Sequence, residues 1–237
     1  MTPELKFRLR AAGWHAGLSA LIGAAVAALV FLLWHPWPYG TIAGGTALFL
    51  ILMGVDLCMG PLLTLVVAQQ RKPRAELVRD LCVIGLLQLS ALGYGVHVTA
   101  QARPVVLAWE GQRLRLVTAM QVAEEEWGQR PREVQALPWN GPLWLGTRET
   151  RADELMTAVA AAAAGQDIGT RPSFWKPLDE ATRTAIASQS CSAAQLQALG
   201  RPQDGALLSC PFLLARSGAW HLALEREGLK VVGLLPG

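Results

Sequence analysis

One acidic residue lies where a charge is costly, in the middle of a long apolar run. Asp56 stands near the centre of residues 42–68, and an ionised carboxylate at the middle of a membrane costs roughly 2.5–3.5 kcal/mol on insertion scales. Such a group must be protonated, paired, or open to water. Two interpretations follow. Asp56 is either a neutral acid hydrogen-bonded to Gln88 or a backbone carbonyl, or a group that meets a polar or cationic group on another membrane helix.

The other residues with chemical potential form no recognisable catalytic or metal centre. The histidines are His15, His35, His97 and His221. They lack HxxxH and HExxH spacing, so the sequence predicts no metal site. Ser209 or Cys210 with His221 can be read as a nucleophile and base, but nothing nearby supplies an oxyanion hole, and most such pairs are ordinary strand residues. We therefore predict no enzyme activity and no cofactor.

The four cysteines divide into two pairs. Cys58 and Cys82 lie in apolar runs, where a lone cysteine is usually a small apolar filler. Cys191 and Cys210 lie in the more polar second half of the chain. In an oxidising compartment they would close a disulfide worth roughly 3 kcal/mol, and the alternative is two buried free thiols. Since no CxxC occurs, a redox enzyme is not indicated.

Three long apolar runs dominate the first hundred residues. They cover residues 11–34, 42–68 and 81–100. A helix rises about 1.5 Å per residue, so each run can cross the roughly 30 Å hydrocarbon layer of a membrane. The sequence Trp-His-Pro-Trp at residues 34–37 follows the first run where a signal peptide would have small residues. We therefore interpret the first run as an uncleaved span.

Basic residues before residue 100 lie in two clusters, which predicts the orientation of the spans. The clusters are Lys6, Arg8 and Arg10, and Arg71, Lys72, Arg74 and Arg79. Lys and Arg are enriched on the cytoplasmic side of membrane helices, whereas residues 35–41 carry no Lys, Arg, Asp or Glu. We expect both clusters in the cytoplasm, and residues 35–41 and the chain from residue 101 outside.

Small residues follow one side of the first span. Ala16, Ala20, Ala24 and Ala28 recur at every fourth position beside Gly23 and Ala27, a spacing that lets helix backbones approach closely. The partner is either another helix of this chain or a helix of another protein. In the second span Pro61 predicts a kink. The candidate contacts with a partner helix are Ala20, Gly23, Ala27, Asp56, Gly60, Pro61 and Thr64.

Residues 102–237 have the composition of a small water-soluble domain. Residues 101–237 hold fourteen basic and fourteen acidic groups, so they offer no basic footprint for nucleic acid. Apolar β-prone runs at 104–109, 113–118, 143–147, 206–215, 220–225 and 229–235 predict strands, and 120–127, 151–164, 178–189 and 192–199 predict helices. We expect three transmembrane helices in residues 1–101, followed by an α+β domain in residues 102–237 with a mainly antiparallel sheet.

Several motifs resemble those of a known family. They are V-D-x-x-x-G-P-L-L-T-L at residues 55–65, Trp-Pro-Tyr at 37–39, Gly-Gly at 44–45, Arg-Asp-Leu at 79–81, Gln-Leu at 88–89, Ala-Leu-Gly-Tyr-Gly at 91–95 and Ala-Arg-Pro-Val at 102–105. In this order they resemble the TfpX/TfpZ family of type IV pilin accessory proteins. The resemblance is specific over residues 5–118. The family's aromatic-Glu-x-Asp-Arg turn departs here to Trp-Glu-Gly-Gln-Arg at residues 109–113, which keeps Glu110 and Arg113.

The resemblance implies a bacterial inner-membrane protein with a periplasmic carboxy-terminal domain. It implies that the protein assists a cognate major pilin, in stability, assembly or presentation, by non-covalent contact, with membrane lipid and other pilus assembly proteins as further partners. It implies no catalytic residue. Two alternatives come from other functional classes: a small transporter component with Asp56 as an intramembrane relay, and a membrane-anchored sensor whose outer domain binds a small ligand.

Overall fold

The computed structural model describes residues 2–237, apart from the side chain of Leu48. The chain folds into two compact units. The first comprises the residues up to Leu33 together with Gly45–Gln101, and the second comprises Trp34–Gly44 together with Ala102–Gly237. Two separate stretches of chain thus build each unit.

Three long helices make up the first unit. In chain order the helices of the first hundred residues are α1 (Pro3–Ala28), α2 (Tyr39–Ile42), α3 (Gly45–Val67) and α4 (Arg74–Gln101). A π-helical stretch, Leu29–Trp34, continues α1. The helices Pro3–Trp34, Gly45–Val67 and Arg74–Gln101 are long and apolar enough to cross a membrane. Within the unit α3 packs against both α1 and α4.

Two of these helices extend beyond the apolar runs that predicted them. The first begins at Pro3 because the Thr2 side chain caps it by accepting from the Leu5 N–H, so the basic cluster at residues 6–10 is helical. Helix α4 begins at Arg74 and includes Arg74 and Arg79 of the second basic cluster. Hydropathy marks the part of a helix that suits lipid, whereas at α1 a capping side chain sets where the helix begins.

The connection between α1 and α3 belongs to the core of the second unit. Tyr39, Ile42 and Ala43 are buried there, and the Ser217 hydroxyl donates to the Ile42 carbonyl at 2.7 Å. Residues 42–44 were predicted to begin the second span, but Gly44 (φ 78°) separates α2 from α3. A hydropathy window cannot distinguish an apolar residue that is buried in a folded domain from one that faces lipid.

The second unit is built on one mixed sheet. Its strands are β1 (Pro104–Trp109), β2 (Leu114–Thr118), β3 (Leu143–Thr147), β4 (Trp175–Pro177), β5 (Leu208–Ser209), β6 (Phe212–Ala215), β7 (Gly218–Glu225) and β8 (Val231–Pro236). The order is β4-β3-β1-β2-β6-β7, and β5 and β8 also pair with β7. The β1–β3 and β2–β6 pairs are parallel, and the other pairs of the described chain are antiparallel. The expectation of a mainly antiparallel sheet is therefore confirmed.

Some predicted elements differ in extent or type. The helices are α5 (Leu155–Ala163), α6 (Glu180–Ala187) and α7 (Ala193–Ala198). The helix predicted at 120–127 is instead two 3₁₀ segments, Ala119–Gln121 and Glu124–Gln129. The strand predicted at 206–215 divides into β5 and β6, and Pro211 between them has no N–H to donate to a ladder.

Both faces of the central strands are covered. Leu107 and Trp109 point to one side of β1, in a core that also contains Ile186 of α6. Val106 and Ala108 point to the other side, in a core with Val134 from irregular chain. Each position of β1 is therefore buried. In a sheet with one solvent-exposed face, buried and exposed residues would alternate instead.

Tyr39 gives this core a measurable signature at alkaline pH. Burial raises the pKa of the Tyr39 hydroxyl from 10.0 to about 12, although a hydrogen bond with the Trp144 side chain acts in the opposite direction. Because the folded pKa is raised, the associated stability is complete below about pH 10 and is lost as the pH rises towards about 12. The loss amounts to about 2–3 kcal/mol. Denaturant unfolding of the full chain in detergent should show it, and Tyr39→Phe should lack it. Identical alkaline profiles would show that Tyr39 titrates normally.

Candidate functional site

Two polar residues of α3, with a glycine between them, lie on one face that points into the helix bundle. Asp56, Gly60 and Thr64 are spaced four residues apart, which stacks them along one side of a helix. All three are buried, with Asp56 9% and Thr64 1% exposed. Since α3 packs between α1 and α4, this face is the inner one.

Asp56 is joined to α4 by an uncharged amide. The Gln88 Nε2 group donates to the Asp56 backbone carbonyl at 2.9 Å and to its carboxylate Oδ1 at 3.2 Å. The Gln88 side chain lies against Gly60, where a Cβ atom would collide with it. The hydrogen bond in the first interpretation of Asp56 is therefore present, and a contact with another protein stays a prediction.

A second polar pair lies about two turns from Asp56 along α3. Nδ1 of His15 on α1 is 2.6 Å from the Thr64 hydroxyl oxygen. The pairing was not predicted, because nothing local links residues that far apart. A sign of it was that both are polar and lie near the same end of adjacent, oppositely directed spans.

The small residues of α1 divide into an inner and an outer row. Ser19 and Gly23 are buried, and a Cβ at Gly23 would meet the Met53 sulfur of α3 at 2.8 Å. Ala27 is half-buried and Ala20 is exposed. The inner row therefore packs within this chain. On α3, Pro61 is half-buried and the α-helix runs through it without a break.

A cluster of charged residues in the second unit links the β1–β2 turn to a segment that is distant in the sequence. The Glu110 carboxylate, with its side chain 4% exposed, accepts from Arg113 Nε at 2.7 Å and from the Gly169 N–H at 3.0 Å. Asp167 pairs with Arg115 at 3.0 Å. Only Glu110 and Arg113 had been singled out, through the family resemblance. Tertiary folding brings in the other two residues, which no spacing in the sequence indicates.

A second cluster of charged residues connects loop segments near α5. Burial alone would raise the pKa of Glu126, but hydrogen bonds from Arg171 and Ser173 outweigh it and lower the pKa below its usual value. Hydrogen bonds from Arg148 lower the pKa of Glu154 to about 2. Both acids are thus paired within the domain, which is the arrangement of a structural network.

The remaining candidates offer little for chemistry. Cys191 and Cys210 are joined by a disulfide with a Cα–Cα distance of 4.8 Å, so the Cys210 sulfur is not a free nucleophile. His221 Nδ1 lies 3.2 Å from the Cys210 carbonyl oxygen, and Ser209 is fully buried. Across residues 2–237 no three His, Cys, Asp or Glu side chains are grouped to hold a metal ion.

Comparison with known proteins relates the chain to one family. The family model for the fimbrial assembly protein FimB matches residues 3–44. The serogroup E1 fimbrial assembly protein of Dichelobacter nodosus is 34% identical over 236 residues, which cover 93% of this chain and 92% of that protein. The chain belongs to the fimbrial assembly protein family.

Two further members from the same organism have similar identity. The serogroup I fimbrial assembly protein is 34% identical over 170 residues, 71% of this chain and 66% of that protein. The protein of serogroups C1 and C2 is 35% identical over 120 residues, 51% of this chain and 92% of that protein. No solved structure matches this fimbrial assembly family member.

Proposed function

We propose that this protein is an inner-membrane accessory protein for type IV fimbrial biogenesis, of the TfpX/TfpZ type. It assists a cognate pilin's stability, assembly or presentation by non-covalent contact. The observation that carries the proposal is the 34% identity with a fimbrial assembly protein over 93% of this chain.

The proposed orientation places the amino terminus in the cytoplasm and residues 102–237 in the periplasm. Residues 34–44 and 102–237 form one folded unit, which supports three crossings that leave both stretches on the same side of the membrane, whichever side that is. The direction of insertion is supported by the basic clusters and by one further observation. The Cys191–Cys210 disulfide is of the kind that persists in an oxidising compartment such as the periplasm.

Contact with the pilin is proposed to involve both units. A pilin awaiting assembly would offer an apolar helix in the membrane and a folded head outside it. Asp56 supports the membrane contact, because it is the acid held deepest in the apolar helices. The inward positions of Gly23, Gly60 and Thr64 favour packing within the chain, whereas the exposed Ala20 is open to a partner.

Deleting the gene tests the proposed function. A strain without this protein should lose most surface pili of the cognate pilin type, and a plasmid copy should restore them. The measurements are sheared-pilus yield and the total pilin level, which separate failed assembly from pilin degradation. Normal piliation in the deletion strain would refute the proposal.

Reporter fusions test the orientation. Alkaline phosphatase fused after Gly237 should be active, since it folds only in the periplasm, whereas a fusion in the α3–α4 connection should be inactive. β-Galactosidase at the same two positions should give the opposite pattern and serves as the matched control. Phosphatase activity only at the α3–α4 connection would invert the orientation.

A further inference from the structure

An apolar groove runs along α3 and α4 in the first unit. It has a volume of about 420 Å³, and its walls come from residues 51–63 of α3 and 84–99 of α4. Its rim is apolar and exposed, including Val55, Met59, Leu87 and Tyr94. At 1.5 Å per residue the walls extend over roughly 18–22 Å, a large part of the hydrocarbon thickness.

The polar part of the groove includes one side-chain acceptor without a partner. Asp56 and Gln88 both line it. The Gln88 Nε2 group already donates to Asp56, whereas Gln88 Oε1 is buried and has no hydrogen-bond partner among the described residues. A buried acceptor without a donor is costly, above all in hydrocarbon. An occupant that brings a hydrogen-bond donor to the depth of Asp56 and Gln88 would offset this cost and would also meet the Asp56 carboxylate, which lines the groove.

This chemistry discriminates between the occupants that the membrane offers. A lipid acyl chain fits the apolar walls but has no hydrogen-bond donor for Asp56 and Gln88. A single polypeptide segment that enters hydrocarbon must be helical, because only a helix satisfies its own backbone groups there. We infer that the α3–α4 groove binds one apolar transmembrane helix carrying an amine, amide or hydroxyl donor opposite Asp56 and Gln88.

The identity of that helix rests on the proposed function, under which it belongs to the cognate pilin. The site therefore differs from the small-residue face of α1 as a docking surface. On α1 the inner row is already occupied by α3, whereas the groove has exposed walls and an acceptor that lacks a partner. A donor on the partner helix would hydrogen-bond to Asp56 and Gln88. This bond would fix how deep the partner helix lies in the membrane and which of its sides faces the groove.

Photo-crosslinking in the living cell tests the groove. A benzophenone amino acid is placed at Met59 or Tyr94 in the groove, and at Leu86, an exposed α4 position outside it, as control. We expect a pilin adduct from both groove positions, at least about fivefold stronger than from Leu86, identified with antibody to the pilin. Equal adducts at all three positions, or lipid adducts alone from the groove, would overturn the inference.

A matched pair of substitutions tests the same site by function. Ala91 lines the groove, and its neighbour Ser90 is exposed and does not. Ala91→Trp should fill the groove and lower both the Met59 adduct and surface pili at least about fivefold, whereas Ser90→Trp should leave both unchanged. Immunoblots must show equal amounts of the two variants in the membrane. If Ala91→Trp is present in a smaller amount, the test is repeated with Ala91→Leu, which adds a smaller side chain to the groove.

The outcomes separate this inference from the proposed function. A pilin adduct obtained only from α1 positions such as Ala20 would keep the pilin as partner and refute the groove. Normal piliation in the deletion strain would refute the proposed function. Normal piliation and a full Met59 adduct in Ala91→Trp would refute the groove alone.

Discussion

Replacing Asp56 by leucine should reduce surface pili by about tenfold or more, and Asp56→Asn should reduce them less. Leucine removes the carboxylate that accepts from Gln88 and leaves only the backbone carbonyl of residue 56 for that amide. A buried hydrogen-bonding group that loses its partner costs about 1–3 kcal/mol. Asparagine keeps one side-chain oxygen but loses the acid. Sheared-pilus yield measures the effect, and the cellular level of each variant protein must be measured beside it.

A double variant separates the two roles that Asp56 can have. Removing both members of a buried hydrogen bond is far less costly than removing one, so Asp56→Leu with Gln88→Leu should restore the level of the protein. If the acceptors serve a partner, piliation stays low in this stable double variant. Recovered piliation would mean that the pair only holds α3 to α4. Normal piliation in both single variants would remove Asp56 from the function altogether.

The membrane-like unit was predictable because its pattern is local. Each span is a continuous apolar run, and a helix needs no distant partner for its backbone hydrogen bonds. The errors lie at the ends of these runs. Ile42 is as apolar as a membrane residue, yet it is buried against strands that follow it by more than sixty residues, and no window of local sequence contains that information.

The same distinction applies to the candidate sites. Asp56 and Gln88 were identified because polar residues are conspicuous in apolar runs, and the number of polar partners at that depth is small. His15 and Thr64 required knowledge of which helices are neighbours and in what register. In the second unit charged residues are common, so Asp167 and Arg115 could not be recognised as partners before the sheet had placed them together.

Glu110 is the acid in the second unit whose loss should be most damaging. Its nearly buried carboxylate accepts from Arg113 and from the Gly169 N–H, and so ties the β1–β2 turn to the chain that follows α5. Breaking a fully buried ion pair costs about 3–5 kcal/mol. Arg113 is 39% exposed and also lies 3.7 Å from Asp167, so part of its charge remains compensated. We therefore expect Glu110→Ala to destabilise the second unit by about 2–3 kcal/mol.

Tryptophan fluorescence can isolate this effect, because eight of the nine tryptophans lie in the second unit. Denaturant unfolding of the full chain in detergent should show a lower midpoint for Glu110→Ala and an unchanged one for Glu124→Ala, which alters an exposed acid. Glu110→Gln keeps an acceptor for Gly169 but not the charge, so its midpoint should fall between the two.

If Glu110→Gln were as stable as the unaltered chain, the hydrogen bond to Gly169 and not the charge would secure the turn. If Glu110→Ala were equally stable, the turn would be held by the sheet alone, and the retained Glu110 and Arg113 would have to be explained by contacts with another protein.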